Sequence, residues 1–188
     1  MAPWATLGLG ALNVALFLRP LRPPSGACLS LKAVWEDGQW ERLLLAPVHH
    51  LGCSHLALNM AALFWLGRRL EKEAGSLWAG VALVGLALLG GLLHLALNAV
   101  LAALFGQRWY WEHCALGLSG LLFSLEAMGQ LGESVPVAAM SSGFVLPTRW
   151  LCLLECLALA VVHPRSSLTG HFSGILAGLA FSFLWGLT

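Results

Sequence analysis

Six apolar stretches, each near the length that crosses a bilayer and each bounded by polar connections, constrain this chain more than any other feature of its sequence. They run approximately over 3–18, 54–70, 77–105, 115–131, 148–162 and 168–187. Crossing the hydrocarbon as a helix takes roughly 20 residues, with about 17 at the short end. Backbone in lipid must satisfy its own hydrogen bonds, so the stretches predict α-helices and the chain an all-α membrane protein, a six-helix bundle. The first and fifth are short, which predicts a thinned bilayer or a protein-lined cavity beside them. With 59% hydrophobic and 10% charged residues the chain is too apolar for a soluble domain. At 188 residues it is too small for two membrane domains, so residues 1–188 are expected to form one unit. The first stretch lacks a basic flank and a small-residue cleavage site and reads as a retained helix.

The longest polar connection, Arg19 to Cys53, holds the turn signal Arg22-Pro23-Pro24-Ser25-Gly26. Within it, Trp35 and Trp40 alternate with Glu36, Asp37, Glu41 and Arg42 over the amphipathic piece 34–45, the pattern of a segment lying in the interface plane. A second connection, Gly132 to Pro147, is rich in Ser, Gly and Pro. Charge does not orient the bundle: one side carries Arg68, Arg69, Lys72 and Arg149, the other Arg19, Arg22, Lys32, Arg42, Arg108 and Arg165. Counted by the positive-inside rule, this distribution leans against the topology adopted below.

A net charge of +1 without a basic run leaves no electrostatic footprint for nucleic acid. The five cysteines, Cys28, Cys53, Cys114, Cys152 and Cys156, form no C-x-x-C pair and are not joined by histidines at zinc-ligand spacing, which disfavours a metal. Cys28 and Cys114 fall on one side of the membrane in a six-helix arrangement, which permits a disulfide without requiring one.

Polar groups at membrane depth cost a few kcal/mol or more each and ask for a reason. His55-Leu-Ala-Leu-Asn59 and His94-Leu-Ala-Leu-Asn98 each stack two such groups at i and i+4 on one helical face. The first pair opens its helix beside Gly52, Cys53 and Ser54, within reach of water, and is the functional candidate. The second lies deep in the 77–105 stretch and is expected to pin helices by interhelical hydrogen bonds. Ser119, in Gly117-Leu118-Ser119-Gly120, sits near a helix start, where unpaired N–H groups and the helix dipole favour a developing negative charge. A lone membrane serine more often bonds back to its own helix. His171 opens the sixth stretch beside a glycine stripe, Gly170, Gly174 and Gly178, whose spacing lets two backbones approach closely. Gly117 and Gly120 offer the small-residue partner surface, which would bring imidazole to hydroxyl. A serine hydroxyl needs a base to become a nucleophile, and a tetrahedral intermediate needs donors for its oxygen. Ser119, His171, His55 and Asn59 supply those parts. No carboxylate stands out as a third member, since Glu126 lies two turns beyond Ser119, Glu155 is in the fifth stretch and Glu71 belongs to the other face.

Four ordered motifs then resemble the rhomboid intramembrane serine proteases over nearly the whole chain: His49-His50 before His55-Leu-Ala-Leu-Asn59-Met60; Leu66-Gly67-x-x-Leu70-Glu71-x-x-x-Gly75; Gly117-Leu-Ser119-Gly120; and Gly170-His171-x-x-Gly174-x-x-x-Gly178. The resemblance implies Ser119 as nucleophile, His171 as general base, and His55, Asn59 and the Ser119 backbone N–H as the oxyanion hole, with no cofactor. It implies structural roles for Glu71, Gly75, Gly117, Gly120, Gly174 and Gly178. Phe123 departs from the family in standing where many bacterial relatives have a tyrosine beneath the base.

Further stretches, Cys28-Leu-Ser30-Leu31, residues 40–50 and Val145-Leu146-Pro147-Thr148-Arg149, are similar to the rhomboid-domain-containing branch of the endoplasmic reticulum. That similarity implies a lumenal active site, cytosolic termini and cleavage of transmembrane protein substrates for quality control. The ubiquitin-binding and unfolding-ATPase-binding tail of that branch has no counterpart in these residues. A silent rhomboid relative that binds membrane clients is the alternative. Such a relative loses the nucleophile or the base, and this sequence has both. A channel or proton relay built on His55, His94 and His171 would leave the glycine spacing unexplained.

Overall fold

The computed structural model describes residues 2–129, 134–136, 145–147, 149–163 and 166–184. Six principal helices form the bundle: α1 (Trp4–Leu18), α4 (Cys53–Ala74), α5 (Ser76–Phe105), α7 (Ser119–Gly129), α8 (Arg149–Val162) and α9 (Leu168–Leu184). Among the described residues short α-helices lie in the connections, α2 (Pro24–Ala27), α3 (Arg42–Leu45) and α6 (Arg108–Glu112), together with a π turn over Lys32–Glu36 and a 3-10 turn over Ala46–Val48. Between α7 and α8 a small antiparallel pair joins β1 (Ser134–Pro136) to β2 (Val145–Pro147). Among the described residues the fold is all-α apart from these two three-residue strands.

By length and composition α5 is the one helix among the described residues long and apolar enough to cross a membrane, while four other apolar helices have 10–17 residues. The last turns of α4 carry Arg68, Arg69, Glu71, Lys72 and Glu73, which lower its hydropathy without ending the helix. For that reason α4 continues to Ala74, beyond the apolar stretch that announces it. Around the bundle Trp65, Leu77, Val161 and Phe183 are each more than three-quarters exposed, an outward apolar surface suited to acyl chains rather than water.

The start of α7 corrects the sequence reading. A helix is expected from residue 115, yet α7 begins at Ser119. Ala115 instead exchanges both backbone hydrogen bonds with Leu29, at 2.8 and 2.9 Å, and Gly117 has φ +106°, outside the helical region and open to glycine at no steric cost. The expected ends of this stretch at 131 and of the last at 187 lie outside the described residues.

Three apolar clusters hold the molecule. Leu63 of α4, Leu83 and Leu86 of α5, and Leu118, Leu121, Leu122 and Leu125 beside and on α7 form one. Phe123 and Ala127 of α7, Cys152 and Cys156 of α8 and Ile175 of α9 form another. The third belongs to the connection between α1 and α4: its Leu29, Leu31, Val34 and Ala46 pack on Leu95 of α5 with Trp111 and Leu116 at the margin. That connection is thus a docked element with its own core. Its Trp35 and Trp40 remain exposed, with ring centroids 6.5 Å apart.

Glu71 shows how the far end of the bundle is joined. The first N–H groups of a helix have no intrahelical acceptor, and Pro3 at the N-cap of α1 gives no side-chain cap. The Glu71 carboxylate accepts from Ala5 N and Thr6 N, both at 2.9 Å, so a residue of α4 caps α1. A cap of this kind is worth about 1–2 kcal/mol. One turn earlier, a Cβ on Gly67 would come within 2.6 Å of Thr6 Oγ1, so glycine admits the close crossing. Gly75, at φ +78°, ends α4 and directly precedes α5.

Candidate active site

The crossing of α7 and α9 is made by absent side chains. A Cβ on Gly174 would overlap the carbonyl oxygen of Gly120, and one on Gly178 would overlap that of Ser124. A Cβ on Gly120 would lie 3.3 Å from the carbonyl oxygen of Gly170. Backbone therefore meets backbone, as small residues at four-residue spacing allow. The close approach brings together the first residue of α7 and the first turn of α9.

Those positions are Ser119 and His171, whose Oγ and Nε2 are 2.8 Å apart. A hydroxyl that donates to Nε2 requires the ring proton on Nδ1, and Nδ1 has no hydrogen-bond partner among the described residues. Among the described residues no carboxylate orients the imidazole. Orientation comes from packing. His171 is buried, and the Phe123 ring, one turn along α7 from Ser119, lies with its centroid 4.9 Å from that of His171 at an interplanar angle of 40°. Phe123 thus packs against the His171 imidazole with a ring that carries no hydroxyl.

His55 and Asn59 stand on one face of α4, as their spacing predicts. The imidazole of His55 lies against Gly117: a Cβ there would be 2.5 Å from Cε1 and 2.8 Å from Nε2. Gly117 is therefore required twice, for its positive φ and for the ring above it. Asn59 is buried, and its Nδ2 donates to the His55 carbonyl at 2.7 Å. An amide nitrogen carries two hydrogens, so one remains after this bond. His50, which precedes α4, is buried with its ring centroid 5.0 Å from that of His55, edge-on. Burial, followed by the neighbouring His55 and His49, lowers the His50 pKa to about 4.

Glu71 and Gly75 lie at the opposite end of α4 from His55. His94 and Asn98 do not join the dyad. Asn98 Nδ2 donates to the His94 carbonyl at 2.8 Å and reaches Thr169 Oγ1 at 3.2 Å, while Thr169 Oγ1 lies 3.3 Å from His94 Nδ1. This is the interhelical bonding expected of them, tying α5 to α9. Sequence reasoning missed its partners: Thr169, and Ser167, which accepts from Gly170 N at 3.1 Å and sits 3.0 Å from His113 Nε2. The available signal was the pair of hydroxyls just before Gly170-His171.

The segment leading into Ser119 is held from the connection between α1 and α4. Besides the Leu29–Ala115 bridge, Gly117 N donates to the Ala46 carbonyl at 2.9 Å. Cys28 and Cys114, which the sequence left undecided, form a disulfide. At the start of α7 the N–H groups of Ser119 and its followers lack acceptors one turn back. The His55 ring lies against Gly117, two residues before Ser119, and Asn59 stands one turn along α4 from His55; donors beside a serine hydroxyl in this way suit acyl transfer.

The profile of the Rhomboid domain family matches residues 37–187. Human rhomboid-related protein 4 is 35% identical over 183 residues, covering 96% of this chain and 57% of that protein. Rhomboid-like protein 14, mitochondrial, from Arabidopsis thaliana is 27% identical over 194 residues, covering 98% and 58%. Rhomboid-type serine protease 2 from Saccharomyces cerevisiae is 32% identical over 148 residues, covering 77% and 53%. The chain spans between about half and three-fifths of the length of these curated relatives. By the extent of these matches, the chain belongs to the rhomboid family of membrane-embedded proteins, some of whose members are named serine proteases.

Proposed function

We propose that this chain is an intramembrane serine protease that hydrolyses peptide bonds in or near transmembrane segments of membrane proteins through a Ser119–His171 dyad. The observation that carries the reading is the 2.8 Å contact between Ser119 Oγ and His171 Nε2 at the first turns of two helices locked by glycine. As Oγ attacks the scissile carbonyl carbon, its proton passes to Nε2. The carbonyl oxygen becomes an oxyanion and accepts from the first N–H groups of α7, from His55 and from the second hydrogen of Asn59 Nδ2. His171 returns the proton to the leaving nitrogen as the C–N bond breaks, leaving an acyl-enzyme on Ser119. Water, deprotonated by the same imidazole, then releases the second product.

The apolar exterior favours membrane-protein substrates over soluble ones. The Cys28–Cys114 disulfide supports an active-site face in an oxidising compartment, since disulfides persist there and are rare in the cytosol. Joined to the resemblance described above, this favours the endoplasmic reticulum membrane, a lumen-facing site and a role in protein quality control. In proteoliposomes holding a transmembrane reporter, the wild-type chain cuts the reporter, and Ser119→Ala and His171→Ala do not. Uncut reporter that is retained by the wild-type chain would favour a client-binding protein instead.

A further inference from the structure

Of the four residues before Ser119, Leu118 is tied to α7 by the bond from Leu122 N to its carbonyl at 3.1 Å, whereas 115–117 are held from elsewhere. Residues 115–118 are non-helical, Gly117 has φ +106°, and the His55 ring rests on it. This geometry is imposed from outside, by the Leu29–Ala115 bridge and the bond from Gly117 N to Ala46 O. Both partners, Leu29 and Ala46, belong to the connection between α1 and α4, far away in sequence. Arg42 braces that connection internally: Nη1 donates to the Cys28 carbonyl at 2.7 Å and to the Ser25 carbonyl at 3.1 Å, and Nε to Gln39 Oε1 at 2.7 Å. The covalent tie between the connection and the pre-Ser119 segment is the Cys28–Cys114 disulfide, 86 residues apart in sequence and adjacent to the Leu29–Ala115 bridge. The dyad contact, in contrast, is set by Gly120, Gly174 and Gly178, whose nearest neighbours are the backbones of Gly170, Gly120 and Ser124.

We propose that the Cys28–Cys114 disulfide is a positioning element of the active site: it clamps the connection onto residues 115–117, keeps Gly117 under His55, and so sets the oxyanion pocket while leaving the dyad crossing to the glycines. This rests on the hydrolase reading above. Reduction by a dithiol breaks the S–S bond with two electrons and two protons, giving two thiols and the cyclic disulfide of the reductant. The bundle survives that step, because its two principal clusters contain neither cysteine. The pocket loosens, and every molecule acylates more slowly. Misplacement of a donor by about 1 Å lowers rates up to roughly a hundredfold, so a loss of about tenfold to a hundredfold is expected.

The test is the time course of Ser119 labelling by a fluorophosphonate probe, using the full chain in lipid nanodiscs with and without dithiothreitol. Cys28→Ser/Cys114→Ser is the second sample, and reoxidised wild type the third. Rate constant and final labelled fraction are read separately. The proposal expects a rate constant reduced about tenfold to a hundredfold, an undiminished final fraction, a double variant that is slow and indifferent to reductant, and recovery on reoxidation. A lower final fraction with an unchanged rate constant would mean that the disulfide only keeps molecules folded, and overturns the proposal. So would a rate constant indifferent to reduction. Absence of labelling in oxidised wild type instead defeats the hydrolase reading itself.

Discussion

Helix α9 meets two neighbours through a histidine and a hydroxyl, and the two junctions differ in what surrounds them. At the α7 crossing, His171 faces Ser119 at 2.8 Å, with glycine backbones in contact behind the pair, a helix start beside the hydroxyl and His55 over Gly117. At the α5 crossing, His94 faces Thr169 at 3.3 Å, and the same hydroxyl is shared with Asn98. His94 lies in the middle of a 30-residue helix and is fully buried. Its neighbours are hydrogen-bond partners, and in the first turn of α9 beside the Thr169 hydroxyl the N–H groups of Gly170 and His171 are taken by Ser167 Oγ and the Ser167 carbonyl. A histidine and an alcohol within reach do not make a nucleophile. The helix-start N–H groups beside one pair suit it to acyl transfer, and the hydrogen bonds around the other tie α5 to α9.

The comparison breaks most sharply if the two hydroxyls are exchanged as targets. Ser119→Ala is expected to lower reporter cleavage by about 10⁴-fold or more while the melting temperature holds, whereas Thr169→Val should leave cleavage per folded molecule within a few-fold. Equal losses of turnover in the two variants would erase the distinction. Gly174→Val strikes the crossing itself, since its Cβ has no room beside the Gly120 carbonyl. Separation of α7 from α9 should remove activity and lower stability by about 3 kcal/mol, read as a drop in thermal midpoint together with turnover. Activity lost at undiminished stability would assign the Gly174 backbone a direct role.

Asn59→Ala sharpens the account of the oxyanion pocket. Losing one donor is expected to cost about 3 kcal/mol of transition-state stabilisation, roughly a hundredfold in kcat, with little change in KM. An unchanged rate would reduce Asn59 to packing through its bond to the His55 carbonyl. The smallest effect concerns His50. Its folded-state pKa of about 4 lies below the ordinary 6.5, so between these values the unfolded chain binds the extra proton and the folded chain does not. The stability it contributes is complete above pH 6.5 and is lost as pH falls through about 4. Thermal midpoints measured from pH 7 downward should fall across this window, and His50→Gln should flatten the slope. A wild-type profile that is flat there would show His50 to be solvated.

What was legible in the sequence was written locally. Apolar length announces the bundle, and four-residue glycine spacing announces the α9 surface on which Gly120 and Ser124 rest. Ordered short motifs announce Ser119, His171, His55 and Asn59. The hold on residues 115–117 had no such signature. Leu29, Leu31 and Val34 form too short an apolar run to show a period, and their partners lie far along the chain at Leu95, Ala115 and Leu116. A helix was expected from residue 115 because Ala115, Leu116 and Leu118 are apolar. Hydropathy cannot distinguish a helical turn from an extended strand pressed on a docked loop. The pairing of Cys28 with Cys114 and the capping of α1 by Glu71 were hidden for the same reason: each joins groups whose proximity only tertiary structure creates.

On the proposed mechanism His171 makes Ser119 nucleophilic. Exposure of the lipid-reconstituted chain to a fluorophosphonate probe, followed by peptide mass mapping of the adduct, reads this out. One modified residue is expected, Ser119, with labelling absent in Ser119→Ala and slowed by orders of magnitude in His171→Ala. An adduct on Ser124 or Ser167 instead, or Ser119 labelling at an undiminished rate without the imidazole, would contradict it.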